Sequence, residues 1–433
     1  MNIFDITLFM SGFNLKRAQR ELSVIYNIDH SRKFEHRLKR RDEIVNYHIQ
    51  NNPFYRNLVG AISHDGCFEK LPIITKRDFQ KPLKKLLSDG FDKKYIYTGN
   101  TSGSSGHPLY YAKDRDSHAL THAIILALYN QYDISPNDKQ ARFYGIPYDG
   151  LSKYKEKLKD FLSNRVRFHV FDLSDKQFEF YLRRFSNTKF GYIYGYTSVI
   201  VQFARFMINR EVVLFDICPT LKGCIVTSEV CTAEDRELIK KGLGINVINE
   251  YGCSEVGLIA FESPDGRWRM VEEDNYYEVV DINGKPLPWG DEGRILITSL
   301  SNRAMPIIRY EIGDMGIIDK IEGCLYLRKL AGRVSDVIRL PSGGISAGLT
   351  FYYISRALLE KLGIIKEFIV RQTAIDTFVF EVVSDRNFTV KEQSILKQQM
   401  DNYLEPGLKL IINRVERIKR PNSGKIKHFY SEI

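Results

Sequence analysis

Residues 221–255 read LKGCIVTSEVCTAEDRELIKKGLGINVINEYGCSE, and this stretch carries the pattern that decides the fold class. Two short runs rich in β-branched residues, 221–227 and 245–248, flank a longer polar segment. Toward the N terminus, similar runs at 167–171 and 191–194 alternate with helical segments such as 118–131. This alternation is typical of α/β proteins, so we predict an α/β fold.

The pattern changes after residue 255. Short strands at 277–281 and 293–298 with the turn signal Asn283-Gly284 predict an antiparallel meander or small barrel. From about residue 332, strands at 368–371 and 378–383 and a helix at 390–403 predict a small α+β region. We therefore predict two domains, a large N-terminal domain of residues 1–332 and a small C-terminal domain of residues 333–433.

Composition narrows the class of protein. Of 433 residues, 43% are hydrophobic and 27% are charged, which argues against disordered, collagenous and disulfide-scaffold proteins. Six cysteines without a C-x-x-C pair favour reduced thiols and a cytoplasmic location. No apolar run approaches the ~20 residues of a membrane-spanning helix.

Charge adds less. The net charge of +10 permits a nucleotide, a coenzyme, nucleic acid or an acidic lipid surface as partner. We predict no nucleic-acid partner, because no recognisable module is present. Peripheral membrane contact stays open, and the oligomeric state is not predicted. The basic clusters at 16–20 and 37–41 are interpreted as a solvated helix face, since Glu35, Asp42 and Glu43 lie among the latter.

The densest Gly and Ser segment is TSGSSGHP, residues 101–108, between aromatic runs at 95–97 and 109–112. Its glycines and hydroxyls offer the donors that a polyphosphate needs, although a Ser/Gly loop alone is more often a flexible turn. Neither a Walker loop, a G-x-G-x-x-G motif nor a G-x-S-x-G elbow is present, which removes the commonest NTPase, dinucleotide and hydrolase interpretations.

Other short segments carry candidate functional side chains. In NEYGCSE, residues 249–255, Glu255 is suited to Mg²⁺ and Tyr251 to a base, or the segment is a strand end with an exposed acid. In RYEIGD, residues 309–314, Asp314 would accept ribose hydroxyls, or the segment is an ordinary turn. In PNSGK, residues 421–425, Lys425 would supply a mobile positive charge, or the segment is part of a basic solvated tail.

The order of TSGSSGHP, NEYGCSE, RYEIGD, GRVSD at 332–336 and PNSGK resembles the adenylate-forming superfamily of acyl-CoA synthetases, adenylation domains and luciferases. Within it, the sequence is most similar to the phenylacetate-CoA ligase branch and its CapK-like relatives. The segments NNPFYRN at 51–57, LPIITK at 71–76, AMPIIRYEIGD at 304–314 and KEFIVRQ at 366–372 resemble that branch too.

The resemblance implies a two-step ligase reaction. A carboxylate attacks the α-phosphate of ATP with Mg²⁺ present, which releases pyrophosphate and leaves an acyl-AMP, and an acceptor then takes the acyl group. It also implies that a small C-terminal domain rotates between the steps. CoA is the expected acceptor. The alternative is a CapK-like amide ligase that joins a sugar acid or amino acid to an amine in surface-polysaccharide synthesis. A third hypothesis, a non-catalytic relative, is disfavoured because the candidate side chains are retained.

The resemblance also implies individual roles. Glu255 would hold Mg²⁺, Tyr251 would stack on adenine, Asp314 would accept the ribose hydroxyls, and Lys425 would bridge the carboxylate and the α-phosphate. The remaining candidate ATP-binding residues are Thr101, Ser102, Gly103, Ser104, Ser105, Gly106, Gly252, Ser254 and Arg333. The candidate residues of the acyl pocket are Tyr144, Gly145, Tyr194, Tyr196, Ser228 and Glu229.

Two tyrosines and an acid in that pocket favour a substrate with polar groups, unless the tyrosines only pack. The sequence departs from the family pattern at the hinge, where Ser335 stands at the usual acid position and Asp336 follows. It departs again at His107, where many relatives carry Lys. Some relatives have a Cys/His zinc site, but the corresponding regions hold Phe261-Glu262 and a lone Cys324, so no structural zinc is predicted.

Overall fold

The computed structural model describes residues 12–60, 66–92, 94–100, 109–144, 157–170, 174–229, 231, 233–281, 283–331, 337–347, 350–351, 354, 365–384, 386–416 and 429–433. The chain divides into two compact units. The first contains residues 1–101, 109–135 and 250–332, and the second contains residues 102–108, 136–249 and 333–433.

The α-helices are numbered along the chain as α1 Leu15–Tyr26, α2 Lys33–Asn51, α3 Pro53–Gly60, α4 Arg115–Tyr129, α5 Asp175–Ser186, α6 Thr197–Asn209, α7 Leu214–Ile217, α8 Ala233–Leu243 and α9 Val390–Tyr403. The strands of the first half are β1 Ile96–Asn100, β2 Tyr110–Asp114, β3 Gln140–Phe143, β4 Arg165–Phe168, β5 Tyr192–Tyr196, β6 Gly223–Thr227, β7 Val247–Cys253 and β8 Gly257–Glu262. Those that follow are β9 Trp268–Met270, β10 Asn275–Val280, β11 Glu292–Ser299, β12 Tyr310–Ile321, β13 Cys324–Ala331, β14 Val337–Arg339, β15 Ile345–Ala347, β16 Ile365–Ala374, β17 Thr377–Ser384, β18 Lys409–Arg414 and β19 Phe429–Ser431.

The first unit is built on antiparallel strands. Strands β10, β11, β12, β13, β9 and β8 follow one another in the sheet, and β8 pairs with the end of β7 from Glu250 to Cys253. Strands β1 and β2 form a separate antiparallel pair that flanks the Ser/Gly segment in sequence. The antiparallel region predicted after residue 255 is therefore confirmed, and it extends through residue 331.

The second unit contains the predicted α/β pattern. Strands β4, β3, β5 and β6 form a parallel sheet; helices α5 and α6 occur in the connections between its strands, and α8 follows β6. Side chains alternate along β3, so that Ala141 and Phe143 are buried in the core while Arg142, between them, lies on the opposite face. The α/β fold class is confirmed.

The same unit contains the predicted small α+β region. Strands β18, β17, β16 and β19 form one sheet, and α9 spans the residues that the sequence predicted as a helix. Thr389 and Glu392 cap its first turn by bonding each other's backbone N–H groups, which explains why the helix begins there. Residues 333–433 group with 136–249, and the assignment of 333–433 as a separate domain stays a prediction.

The basic cluster on α2 makes internal contacts. Arg37 lies 2.9 Å from Glu272, and its side chain is only 12% exposed. Arg40 donates to the carbonyl oxygen of Glu273 at 2.6 Å, and the guanidinium carbon of Arg41 lies 4.1 Å from the ring centre of Phe68. These contacts show that the interpretation of this cluster as a solvated helix face is wrong. The charges along one helix could not reveal it, because the acids that pair with them lie far away in sequence.

Candidate active site

A tight turn of residues 254–256 joins β7 to β8. Tyr251 and Gly252 lie at the end of β7, and Ser254 and Glu255 lie in the turn. The register of the strand pair shifts between Tyr251 and Gly252. A β-carbon at Gly252 would lie 2.5 Å from the carbonyl oxygen of Gly257, so only glycine fits this close approach. Ser254 is exposed at the turn. Backbone proximity therefore explains why glycine occupies position 252.

Tyr251 and Asp314 come together in the first unit. The Tyr251 hydroxyl donates to Oδ2 of Asp314 at 2.6 Å, although the two residues are 63 positions apart in sequence. Asp314 lies in β12 directly after Gly313, whose φ of +83° is a conformation that favours glycine. Both side chains are partly exposed. The structure therefore places the predicted base-stacking and ribose-binding residues side by side.

Glu255 is 3% exposed, so the interpretation as a strand end with an exposed acid is wrong. Its Oε1 accepts a hydrogen bond of 2.8 Å from the hydroxyl of Tyr310 and lies 3.9 Å from Nζ of Lys76. Burial and the neighbouring Glu255 charge raise the pKa of Tyr310 well above its ordinary value, so the phenol stays protonated and acts as a donor. The carboxylate is held in place by a neutral donor and a nearby cation.

Lys113 supports the same turn from β2. Its side chain is buried, and Nζ donates to the carbonyl oxygen of Val256 at 2.5 Å and to the hydroxyl of Thr121 at 3.4 Å. Burial lowers the pKa of this ammonium, while Glu255 is among the acids that oppose the shift. Lys113 thus binds the residue that follows Glu255 in the chain.

Arg309 anchors the segment that carries Tyr310. Its side chain is 2% exposed, forms an ion pair of 3.0 Å with Glu278, and donates to the carbonyl oxygens of Glu69 and Leu71. Ile74 pairs with Tyr310 in a parallel bridge. These contacts fix LPIITK, which includes Lys76, against RYEIGD.

A second cluster lies in the second unit, at the carboxyl ends of β3, β5 and β6. The ring centres of Tyr144 and Tyr196 are 4.2 Å apart, and those of Tyr144 and Tyr194 are 5.7 Å apart. The hydroxyls of Tyr144 and Ser228 are hydrogen-bonded at 2.8 Å, and Ser228 adopts a φ of +69°. Glu229 is partly buried, and its carbonyl oxygen accepts from the hydroxyl of Thr197 at 3.4 Å. Ligands of parallel α/β sheets bind at this end of the strands.

Comparisons with known proteins show which sequences this chain is similar to. No family model matches the sequence. CapK of Staphylococcus aureus is 22% identical over 380 residues, which cover 83% of this chain and 81% of CapK. Phenylacetate-coenzyme A ligase of Pseudomonas putida is 38% identical over 98 residues, which cover 21% of this chain and 22% of that ligase. The chain is therefore similar to CapK over most of its length and to the phenylacetate-CoA ligases over part of it.

Solved structures of other proteins share the fold of this chain. The structure of 2-hydroxyisobutyryl-CoA ligase with 2-HIB-AMP and CoA in its thioesterification state matches with a TM-score of 0.61 at 15% identity, covering 93% of this chain and 90% of that one. An open conformation of the same ligase matches with a TM-score of 0.58. At 15% identity, these matches show a shared fold.

Some of the predicted site residues lie outside the described residues. They are Thr101, Ser102, Gly103, Ser104, Ser105, Gly106, His107, Gly145, Arg333, Ser335, Asp336 and Lys425. Their roles stay predictions. The structure also reveals residues to which the sequence analysis assigned no role, namely Lys76, Lys113, Arg309 and Tyr310. The segments LPIITK and AMPIIRYEIGD resemble the phenylacetate-CoA ligase branch, but nothing in their sequence indicates that Lys76 and Tyr310 both approach Glu255.

Two further observations concern metal binding and membrane spanning among the described residues. No group of three or more His, Cys, Asp or Glu side chains in this part of the chain is arranged to hold a metal ion. None of the helices with described coordinates is long and apolar enough to cross a membrane.

Proposed function

We propose that the protein is an ATP-dependent adenylate-forming ligase. It activates a small carboxylic acid as an acyl-AMP with release of pyrophosphate, and then transfers the acyl group to CoA. The phenylacetate-CoA ligases match only 22–29% of their own length, so the substrate and acceptor are proposals in their own right. A cytoplasmic location is proposed because the six cysteines are free thiols.

The observation that carries the proposal is the convergence of Tyr251, Asp314 and Glu255 in the first unit. Tyr251 offers an aromatic face for adenine, and its bond to Asp314 holds that carboxylate beside it, where it would accept ribose hydroxyls. Glu255 lies four residues after Tyr251, in the turn that follows β7. One short segment and one strand thus supply contacts for the base, the sugar and the metal-bound phosphates.

Mg²⁺ fits the chemistry of Glu255. Both described contacts of this carboxylate use Oε1, so Oε2 is the oxygen that would ligate the ion. Mg²⁺ in phosphate-transfer sites is held by one or two carboxylates together with substrate phosphates, so a single acid suffices. When bound, the ion neutralises charge that develops on the phosphates. Tyr310 and Lys76 orient the carboxylate, and the loop 101–106 would add donors to the phosphates.

The acyl group is assigned to the cluster of Tyr144, Tyr194, Tyr196 and Ser228. Their rings offer an apolar wall, and the bonded hydroxyls of Tyr144 and Ser228 offer polar contacts. Such a lining suits an acid of moderate size that carries polar groups.

A pyrophosphate-release assay tests this function. The wild-type protein is incubated with ATP, Mg²⁺ and a panel of aryl acids, short fatty acids, amino acids and uronic acids, each with and without CoA. Carboxylate-dependent release that CoA stimulates is the expected result. ATP binding without release for any acid would leave a nucleotide-binding relative, and failure to bind ATP would overturn the proposal.

The first prediction concerns the metal-binding carboxylate. Glu255→Gln is expected to lower kcat for pyrophosphate release on the order of 100-fold, because the amide loses the charge that attracts Mg²⁺ but can still accept from Tyr310. The control is Glu311→Gln, which removes a carboxylate paired with Arg294 at 3.2 Å and should change the rate less than about 3-fold. Equal melting temperatures for both variants and the wild type would show that folding is unaffected. A wild-type rate for Glu255→Gln would contradict the assignment.

An amide ligase is the second candidate. CapK matches 83% of this chain, whereas the phenylacetate-CoA ligase matches cover 21–28% of it. This difference favours a CapK-like activity on an acid and an amine. AMP formation that requires an amine and ignores CoA would select this candidate over the thioester-forming one.

A further inference from the structure

One face of the parallel sheet in the second unit carries three arginines. Arg142 on β3 is paired in register with Arg167 on β4, and Gln140 is paired with Arg165. Residues two positions apart on a strand share a face, so all three arginines lie on the side opposite the buried Ala141, Phe143 and Phe168. This is an unusual density of positive charge for a partly covered sheet surface.

Asp160 forms ion pairs with two of these arginines, Arg165 and Arg167. Its Oδ1 accepts from Arg165 at 2.5 Å, and its two oxygens accept from Arg167 at 2.9 Å each. The side chains of Arg165 and Arg167 are 17% and 8% exposed. The pKa of Arg165 is lowered, first by burial and then by the positive charge of Arg142, with Asp160 opposing both. The positive charge of Arg142 on β3 therefore affects Arg165 on the neighbouring strand β4.

Arg142 is held against the proposed acyl pocket. Its guanidinium carbon lies 4.6 Å from the ring centre of Tyr144 and 4.9 Å from that of Tyr194. Its Nη1 donates to Oε1 of Gln140 at 3.2 Å. Gln140 in turn donates to the hydroxyl of Tyr192 at 2.8 Å. Aromatic faces and an amide thus orient a guanidinium beside the side chains assigned to the acyl group.

We propose that Arg142 determines substrate specificity by binding a second anionic group on the acid, so that the enzyme adenylates acids that carry another carboxylate. This inference rests on the proposed function. A guanidinium presents paired N–H donors that match a carboxylate, and a preoriented guanidinium loses little conformational freedom on binding. The tyrosines contact the body of the acid, and Arg142 selects the additional charge.

Matched probes test the proposal. We would compare 4-carboxyphenylacetate with its neutral isostere 4-carbamoylphenylacetate, and glutarate with glutaramate, by pyrophosphate release. For at least one pair, kcat/KM of the wild type should be on the order of 100-fold higher for the dianion. Arg142→Met should reduce this preference to about 3-fold or less, and Arg142→Lys should retain part of it because the charge remains without the paired donors.

A matched variant controls for the general loss of charge. Arg165→Met removes a cation from the same sheet face, but its guanidinium binds Asp160. This variant should keep the dianion preference of the wild type. Preference for the neutral isosteres, or an unchanged preference in Arg142→Met or in both Arg142 variants, would overturn the inference while adenylation itself stands.

Binding without ATP separates the two proposals. Saturation-transfer NMR with the same four probes should detect dianions on the wild type and weaker binding on Arg142→Lys. Such binding without pyrophosphate release from these probes or from any acid of the panel would support Arg142 as an anion-binding residue and overturn the proposed function. Pyrophosphate release from monoanionic acids with no dianion bound or used would overturn the inference alone.

Discussion

Lys425→Ala is expected to lower the rate of pyrophosphate release on the order of 1,000-fold. A cation placed between the carboxylate and the α-phosphate would stabilise negative charge that develops only in the adenylation step, and removal of one such contact costs about 100- to 1,000-fold or more. Thioester formation from a supplied acyl-AMP should fall less than about 10-fold, because that step does not need the cation at the α-phosphate. Separate assays of the two half-reactions measure both values.

Lys427→Ala is the matched control, because it removes the same charge two residues later in the basic C-terminal segment. Its adenylation rate should stay within about 3-fold of the wild type, since the assigned role at the α-phosphate belongs to Lys425 and not to Lys427. Equal losses in the two half-reactions for Lys425→Ala would refute the assigned role. Equal losses for the two lysine variants would indicate a general electrostatic effect of the segment.

Arg309→Met is expected to have the largest effect on stability. The guanidinium is 2% exposed and is bonded to Glu278, Glu69 and Leu71. Its removal leaves a buried carboxylate without its cation and two carbonyls without their donor, which costs about 3–5 kcal/mol for broken buried pairs of this kind. Chemical denaturation should show this decrease in the free energy of unfolding.

Arg294→Met serves as a comparison, since Arg294 also pairs with an acid, Glu311, but is 21% exposed. It should cost about 1 kcal/mol. The double variant Arg309→Met with Glu278→Leu should recover part of the lost stability, because it removes the uncompensated charge. A loss below about 1 kcal/mol for Arg309→Met would show that the buried pair contributes little.

The local elements could be predicted from the sequence with fair accuracy. The alternation of strands and helices predicted the α/β fold class, and the turn signals after residue 255 predicted the antiparallel strands. Helix α9 was predicted with its observed bounds, and the structure shows that Thr389 and Glu392 cap its first turn. These signals lie within a few residues of the structure that they specify.

The contacts within the candidate site could not be predicted in the same way. Tyr310 donates to Glu255 across 55 residues, and Arg309 donates to the carbonyl oxygen of Leu71 across 238. The sequence does not distinguish a buried arginine from an exposed one, because the tertiary packing determines which acid each arginine contacts. The resemblance to a family selected Tyr251, Glu255 and Asp314, but not the side chains that hold them.

The contacts of α2 have a consequence for synthesis on the ribosome. His48 on this helix bonds the carbonyl oxygen of Asn302, 254 residues later, and Arg40 bonds that of Glu273, 233 residues later. At ordinary translation rates these partners emerge roughly 10 to 50 s after the helix itself. The side chains of α2 that are buried in the folded protein stay exposed to solvent during that interval, while residues 136–249 are synthesised. The N-terminal helices are therefore a binding target for chaperones until residues 250–332 have been synthesised.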